Sequence, residues 1–502
     1  MSAGNYVCTD TKIGVWYFFN GSRWILDCGL SIRNMISNEV FDYYQKIYTK
    51  KLNFIREFEE KEKGNMTEKK TEFLDGIRKV LHSIHRISIT LKTTYAKNNI
   101  LKEASFMLYD GDFLKKLDTN HYLFAFKNCV FDLRTGEKKI ASKDDYVFMH
   151  TDYDYDDTYN PTIIEELQCI LNTILNDVSI RDYYLQALAT GMSGHQVQNI
   201  FISTGKGGNG KSVLSSLMMD MVGKYGYKLP KMTLQTDVDT NSACPAIANM
   251  HNKRYVLSQE PKSDKKLNAS TIKELTGDTA INARQLYSGN TDVIIKMSLF
   301  LECNDLPFID ETGDAITRRF RVIPFKTSAI TQSSFDLLPI EEQQSGKYII
   351  QNPFYATPDF RIKYKQALFH ILLPKIMQFY ANDLKMIEIP LECEKKARDY
   401  LATSDDIYSW FILCYEPLSV EEFNTDKDEP ISIKDLYSIF KNSQAFLTMS
   451  KLEKRKHNQA NFYEKIENNA CFKKFFYLRN TYYRKKQIKC EYIVGWKMIE
   501  EE

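Results

Sequence analysis

The chain has 502 residues, enough for roughly two to four domains. Its hydrophobic fraction of 43% and charged fraction of 26% are those of an ordinary globular protein, and a net charge of +2 excludes a simple polycation. No apolar run reaches the ~18 residues of a membrane span, no secretory signal pattern opens the chain, and no C-x-x-C pair occurs among ten cysteines. The expectation is a reducing, intracellular setting without membrane contact, zinc ribbon or disulfide framework.

In chain order, residues 1–30 carry the aromatic runs "VWYFF" and "RWIL" around Asn20-Gly21, a hairpin signal. Residues 31–118 read as largely helical, and the charged "REFEEKEKGNMTEKK" predicts a solvated helix hairpin. Strand patterning returns at 121–139. The acidic, tyrosine-rich "TDYDYDDTYNP" at 151–161 lacks apolar periodicity and is the linker candidate. Residues 162–330 alternate helix and strand patterns, which predicts an α/β domain with a parallel sheet. Residues 360–415 look helical, and "NTDKDEP" at 424–430 leads into a basic end. Residues 431–502 hold fifteen Lys/Arg against eight Asp/Glu, an excess of 15 − 8 = +7.

The strongest motif is "GKGGNGKS". After the apolar run Ile200-Phe201-Ile202, Gly205 and Gly210-Lys211-Ser212 match the phosphate-cradling pattern G-x-x-x-x-G-K-[ST]. Leu214, Leu217, Met218, Met221 and Val222 then recur at helical spacing. Strand, glycine turn and helix together aim N–H groups at an anion. Gly207, Gly208 and Asn209 belong to the same loop. Lys211 suits the β/γ-phosphates of ATP, and Ser212 suits Mg²⁺.

Four segments follow. "KRYVLSQEP" is a strand ending in Glu260, a carboxylate suited to Mg²⁺ and to water activation, with Gln259 where a second acid would stand. "ARQLYSGNTDVIIK" reads as a hairpin around Ser288-Gly289-Asn290, flanked by Arg284 and Lys296 and including Tyr287. "SLFLECNDLP" is an apolar strand ending in Asn304. Arg318 and Arg319 in "DAITRRFRVIPF" precede another strand, and permanently charged guanidiniums suit a γ-phosphate.

In this order the motifs, with "IANMHNKRYVLSQEP", "IKELTGD", "FAFKNCVFDLRTGE" and "ATGMSGH", resemble the superfamily 3 helicases of DNA viruses. More closely they resemble the helicase half of the poxvirus-type primase-helicases of large nucleocytoplasmic DNA viruses and some phages. The resemblance covers residues 120–330 well and 1–120 loosely. About 120 residues precede it, too few for a primase domain, so the expectation is a helicase-only protein or an excised piece.

The resemblance implies an AAA+-like P-loop ATPase core at 161–335, between a mixed α+β collar or oligomerisation region at 1–160 and a helical lid or connector at 336–423. It implies ATP and Mg²⁺ as cofactors, Glu260 polarising water, and Asn304 sensing the γ-phosphate. Arg318 or Arg319 then acts as a finger on a neighbour's ATP in a ring, a hexamer. The hairpin at 284–296 would track single-stranded or forked DNA, drawing Arg284, Tyr287, Asn290 and Lys296 into contact. The implied setting is viral genome replication in the host cytoplasm, with a primase domain or partner. At 424–502, "ISIKDLYSIFK", "NFYEKIENN" and "KKFFYLRNTYYRKKQIKCEYIVGWKMI" read as helix, helix and β-ribbon, a winged-helix-like pattern that offers Arg484, Lys485 and Lys486 to DNA. The alternative is a P-loop ATPase that switches or remodels without unwinding, which needs no pore hairpin.

Overall fold

The computed structural model describes residues 4–237, 244–262, 265–277, 280–284, 290–311, 313–418, 431–468, 472, 476–478, 482–483, 486–487 and 492–499. The chain divides into two compact units, one of Met1–His121, Ala125–Val130 and Lys138–His150, the other of Tyr122–Phe124, Phe131–Glu137 and Thr151–Glu502.

In the first unit the aromatic run Val15–Phe19 is the middle strand of an antiparallel meander with Tyr6–Asp10 and Trp24–Leu26. Trp16 packs on one face with Tyr6, Cys8 and Ile32, and Tyr17 on the other with Trp24, Phe113 and Leu117. Burial on both faces explains why the run does not alternate. At the expected turn Asn20 Oδ1 accepts from the N–H groups of Ser22 and Arg23 at 3.0 and 2.9 Å. Helices Phe41–Lys61 and Glu68–Lys92 form the expected charged hairpin; Ile55, Leu74 and Leu81 make its shared core, and the second helix also buries Ile84, Ser88 and Leu91.

The second unit is built on five parallel strands in the order Phe320–Pro324, Ile200–Thr204, Ser298–Cys303, Tyr255–Gln259, Gly226–Leu229. Ile200–Thr204 and Ser298–Cys303 are buried at every residue, as continuous apolar strands of a covered parallel sheet are. Val256, Leu299, Leu301 and Val322 share a core with Ile272 and Leu275.

The stretch expected as a linker is instead strapped to helix Pro358–Ala381. Gln366 Nε2 donates to Asp156 O at 2.7 Å, Asp156 N donates to Gln366 Oε1 at 3.0 Å, and Tyr159 Oη donates to Lys363 O at 2.5 Å. Its tyrosines lie half-buried while Asp152, Asp154, Asp156 and Asp157 face solvent, so the polar sequence hid the attachment. The same helix packs on Pro161–Ile174, Val178–Thr190 and Lys211–Val222, and Leu391–Ser404 packs on Phe320–Pro324. Much of the expected connector at 336–423 therefore completes the layer over the sheet.

The C-terminal core begins earlier than 424. Helix Asp406–Cys414 contributes Ile407, Trp410 and Phe411 to a cluster with Leu436, Phe440, Phe462, Ile493 and Trp496. Strand Ile431–Ser432 leads into helices Ile433–Asn442 and Gln459–Asn468, and it joins the later strands Tyr492–Val494 and Phe476–Leu478 in one antiparallel set. Among the described residues no helix is long and apolar enough to cross a membrane.

Candidate nucleotide site

Strand Ile200–Thr204 feeds the glycine loop, and helix Lys211–Val222 leaves it with Gly210 as its N-cap. Glycine is required at two places. A Cβ at Gly205 would lie 2.3 Å from Phe325 O, and Gly210 has φ 83° with Ile174 Cγ2 2.8 Å from where a Cβ would sit. The backbone is thus held close and open, and a helix N-terminus of this kind favours an anion.

Parallel register sets what meets the loop. Cys303 pairs with Thr204 and Glu302 with Gln259, so Gly205, Asn304 and Glu260 leave neighbouring strands at the same carboxyl edge. In open α/β sheets ligands bind at this edge. Thr204 Oγ1 donates to Asn304 O at 3.0 Å. The Lys211 ammonium donates to Gly205 O at 2.5 Å, Asn209 Oδ1 at 2.9 Å and Asn304 Oδ1 at 3.3 Å. It is 5% exposed. Burial pushes its pKa below the ordinary lysine value, opposed first by the charge of Glu302. Ser212 and Gly208 are exposed on the outer side of the loop, and Gly207 lies beside Gly208.

Asn209 turns inward and donates to Phe325 O at 3.2 Å, so its side chain braces the loop rather than facing a ligand. Glu260 is exposed at φ 48°, a left-handed conformation that non-glycine residues rarely hold and that tends to mark functional sites. A cavity of about 670 Å³ opens beside the loop, lined by Lys206, Asn304, Lys326, Lys347 and Lys396.

The arginine pair splits. Arg319 is buried, its Nε donating to Thr276 Oγ1 at 3.1 Å and its Nη1 to Ala315 O at 2.7 Å. Arg318 is exposed. Both precede Phe320–Pro324, and Ile200 N donates to Arg319 O at 2.9 Å, so they lie at the amino edge of the sheet. The loop lies at the opposite edge, a full strand of about 3.3 Å per residue away.

The hairpin forms, with Ala280 opposite Ile294 through Arg284 opposite Asn290. Tyr287 lies outside the described residues, and only the backbone of Arg284 and Asn290 is described. Lys296 requires a correction. It is 7% exposed, carried inward by the buried Ile295 and Met297 beside it, and offers no surface cation to DNA. Arg484 and Lys485 lie outside the described residues; Lys486 is described by backbone alone, paired with Tyr483.

Glu302 is the residue that sequence reasoning passed over. It is 4% exposed, and its Oε2 accepts from Ser215 Oγ at 3.2 Å and from Gln259 Nε2. The available signal was an acid inside the otherwise apolar "SLFLEC".

The description "D5 N terminal like" matches residues 2–178 of the chain. A candidate helicase of Acanthamoeba polyphaga mimivirus is 30% identical over 86% of this chain and 43% of its own length. One of Invertebrate iridescent virus 3 is 26% identical over 88% of this chain and 48% of its own. Primase D5 of Fowlpox virus is 25% identical over 55% of this chain and 35% of its own. The chain thus spans less than half the length of each of these relatives. Among solved structures, an apo form of the NrS-1 C-terminal region overlaps 57% of this chain and 61% of that one at 15% identity, with a TM-score of only 0.33. The matched N-terminal stretch and these viral relatives agree with the motif order, and the chain is similar to the helicase- and primase-named proteins of large DNA viruses.

Proposed function

We propose that this chain is the ATP-driven motor of a DNA helicase in viral genome replication, working on single-stranded DNA as a ring, a hexamer. The observation that carries this reading is the meeting of the loop, Lys211 and Asn304 at one sheet edge, with Glu260 beside them.

The residues present fit Mg²⁺ and ATP. The loop forms a cradle that Cβ atoms at Gly205 or Gly210 would fill, and a buried carboxylate oxygen of Glu302 has no hydrogen-bond partner among the described residues. Among the described residues no group of three or more His, Cys, Asp or Glu could hold a metal. Mg²⁺ bound mainly by phosphates and water needs only one or two side chains, here Ser212 and Glu260. The bound cation would neutralise charge on the phosphates.

Lys211 would leave the loop oxygens that now hold it and donate to the β/γ-phosphates. Asn304 would orient the attacking water, and Glu260 would accept its proton. Arg319 is committed to Thr276 and Ala315, which leaves Arg318 as the finger. Its distance from the loop of its own subunit makes a neighbour's ATP its target, and this is the argument for a ring. The hairpin at 280–294 would follow the strand, and the C-terminal helices and ribbon would serve as a winged-helix-like DNA-binding module. A primase domain or partner would supply primers. The test is ATP hydrolysis with and without single-stranded DNA, and unwinding of a forked duplex. Wild type should show both, and Lys211→Ala neither; hydrolysis indifferent to DNA, with no unwinding, would refute the helicase reading.

A further inference from the structure

Strand Ser298–Cys303 is buried at all six residues, yet it carries a carboxylate. A buried acid is costly unless paired. Among the described residues, the hydrogen bonds to the Glu302 side chain come from neutral groups. Its Oε2 takes both of them, from Ser215 on the helix that leaves the glycine loop and from Gln259 on the adjacent strand. Oε1 is buried with no hydrogen-bond partner among the described residues. The same residue's carbonyl accepts from Glu260 N at 2.8 Å, at the point where Glu260 turns to φ 48°. Side chain and backbone of Glu302 therefore grip residues 259 and 260 together.

Packing alone does not account for this acid. A glutamine would fill the same volume without burying a charge. What the carboxylate adds is negative potential directly under the loop that carries Lys211 and Ser212.

We propose that Glu302 is a positioning residue of the nucleotide site, holding the Gln259–Glu260 strand end in place and giving the loop its buried negative charge. The inference rests on the nucleotide-site reading above. In this arrangement the carboxylate missing at position 259 is supplied from position 302, one strand over and level with it in register. Glu302 touches neither phosphate nor water; it acts through Gln259, Glu260 and the loop.

The test uses the full chain, a fluorescent ADP analogue as the probe, measured in Mg²⁺ and in EDTA, and thermal unfolding without nucleotide. Glu302→Gln keeps size and hydrogen-bonding capacity and removes the charge. It should weaken Mg²⁺-dependent binding of the analogue about ten-fold or more, the usual effect of losing an outer-shell partner. Binding in EDTA should change much less. Ser215→Ala removes a bond to the same carboxylate and should lower the unfolding midpoint while leaving affinity close to wild type.

The decisive variant is the transposition Gln259→Glu with Glu302→Gln, which returns one carboxylate to the same buried place from the neighbouring strand. It should recover most of the lost affinity. A purely structural Glu302 predicts instead that Glu302→Gln binds like wild type, and that result overturns the proposal. Should Glu302→Gln fail to fold, the transposed protein decides: wild-type affinity supports the inference, and a folded protein without affinity refutes it. The two readings fail differently. If wild type binds no analogue, the nucleotide site itself is wrong; if wild type binds and Lys211→Ala does not, while Glu302→Gln equals wild type, only this inference falls.

Discussion

Glu260 holds a backbone conformation that its side chain does not favour. The left-handed region costs a non-glycine residue ~1–2 kcal/mol, and glycine returns ~0.5–1 kcal/mol of that as unfolded-state entropy. Glu260→Gly should therefore raise thermal stability slightly while abolishing hydrolysis. Glu260→Gln should keep nucleotide bound and unhydrolysed. Hydrolysis at the wild-type rate by either variant, in a steady-state phosphate-release assay, would remove Glu260 from the site. The arginines should separate by measurement as they do by burial. Arg319→Ala breaks a charged bond network inside its own subunit and should cost roughly 1.5–3 kcal/mol in unfolding free energy. Arg318→Ala should leave the melting curve in place and cut turnover by about 10³. The reverse assignment would make Arg319 the finger.

Elements carry the next set of expectations. Helix Asp406–Cys414 opens with Asp406, where burial would raise the carboxyl pKa. The bond to His457 and the charges of Lys266 and Lys465 outweigh burial and bring it down to about 2. A carboxyl with a depressed folded pKa stabilises the fold above its unfolded value of about 3.9 and loses that contribution as pH falls toward the folded one. Asp406→Asn should thus melt below wild type at pH 7, with the gap closing between about pH 4 and pH 2 in pH-stepped melts. A gap independent of pH would mean that shape, not charge, matters there. The same helix sets where the C-terminal module can be cut. A stop at 431 would strip the partners from Trp410 and Phe411, whereas ending the chain before Asp405 removes the shared core whole. The shorter protein should bind DNA more weakly, with the slope of log K against log salt reduced by about 0.9 for each duplex phosphate that the module would have neutralised. An unchanged slope would make the module structural.

At the scale of the whole molecule, the separation of loop and arginines to opposite sheet edges gives the ring a direct test. Lys211→Ala subunits lack a working loop but keep Arg318; Arg318→Ala subunits lack the finger but keep the loop. Mixed in equal amounts, they should recover hydrolysis that neither shows alone. No recovery at any ratio would mean that the finger works within its own subunit, and the ring would lose its main support.

How much of this was legible in the chain follows from the range of the interactions involved. The glycine loop, its flanking strand and helix, the Asn20-Gly21 turn and the hairpin at 280–294 depend on residues a few positions apart, and local chemistry specified each. Parallel sheet and helix alternation were legible for the same reason: a strand covered on both faces must be apolar throughout. The attachment of residues 151–160 was not legible, because its hydrogen bonds go to a helix two hundred residues later. Nor was the division of the arginine pair, since two adjacent identical side chains differ only in what packs around them. Lys296 read as a surface cation and Glu302 as an interruption in an apolar run, because burial is a property of neighbours brought by other strands. By itself the sequence determined that a glycine-rich loop joins a buried strand to a helix, and which strand ends follow it. Only the tertiary structure decided that Asn304 and Glu260 stand beside that loop, that Glu302 lies beneath it and that Arg318 is exposed at the opposite edge of the sheet. The reason is physical: a parallel strand order is fixed by long-range pairing and packing, and each side chain's burial and charge partners exist only once that order has formed.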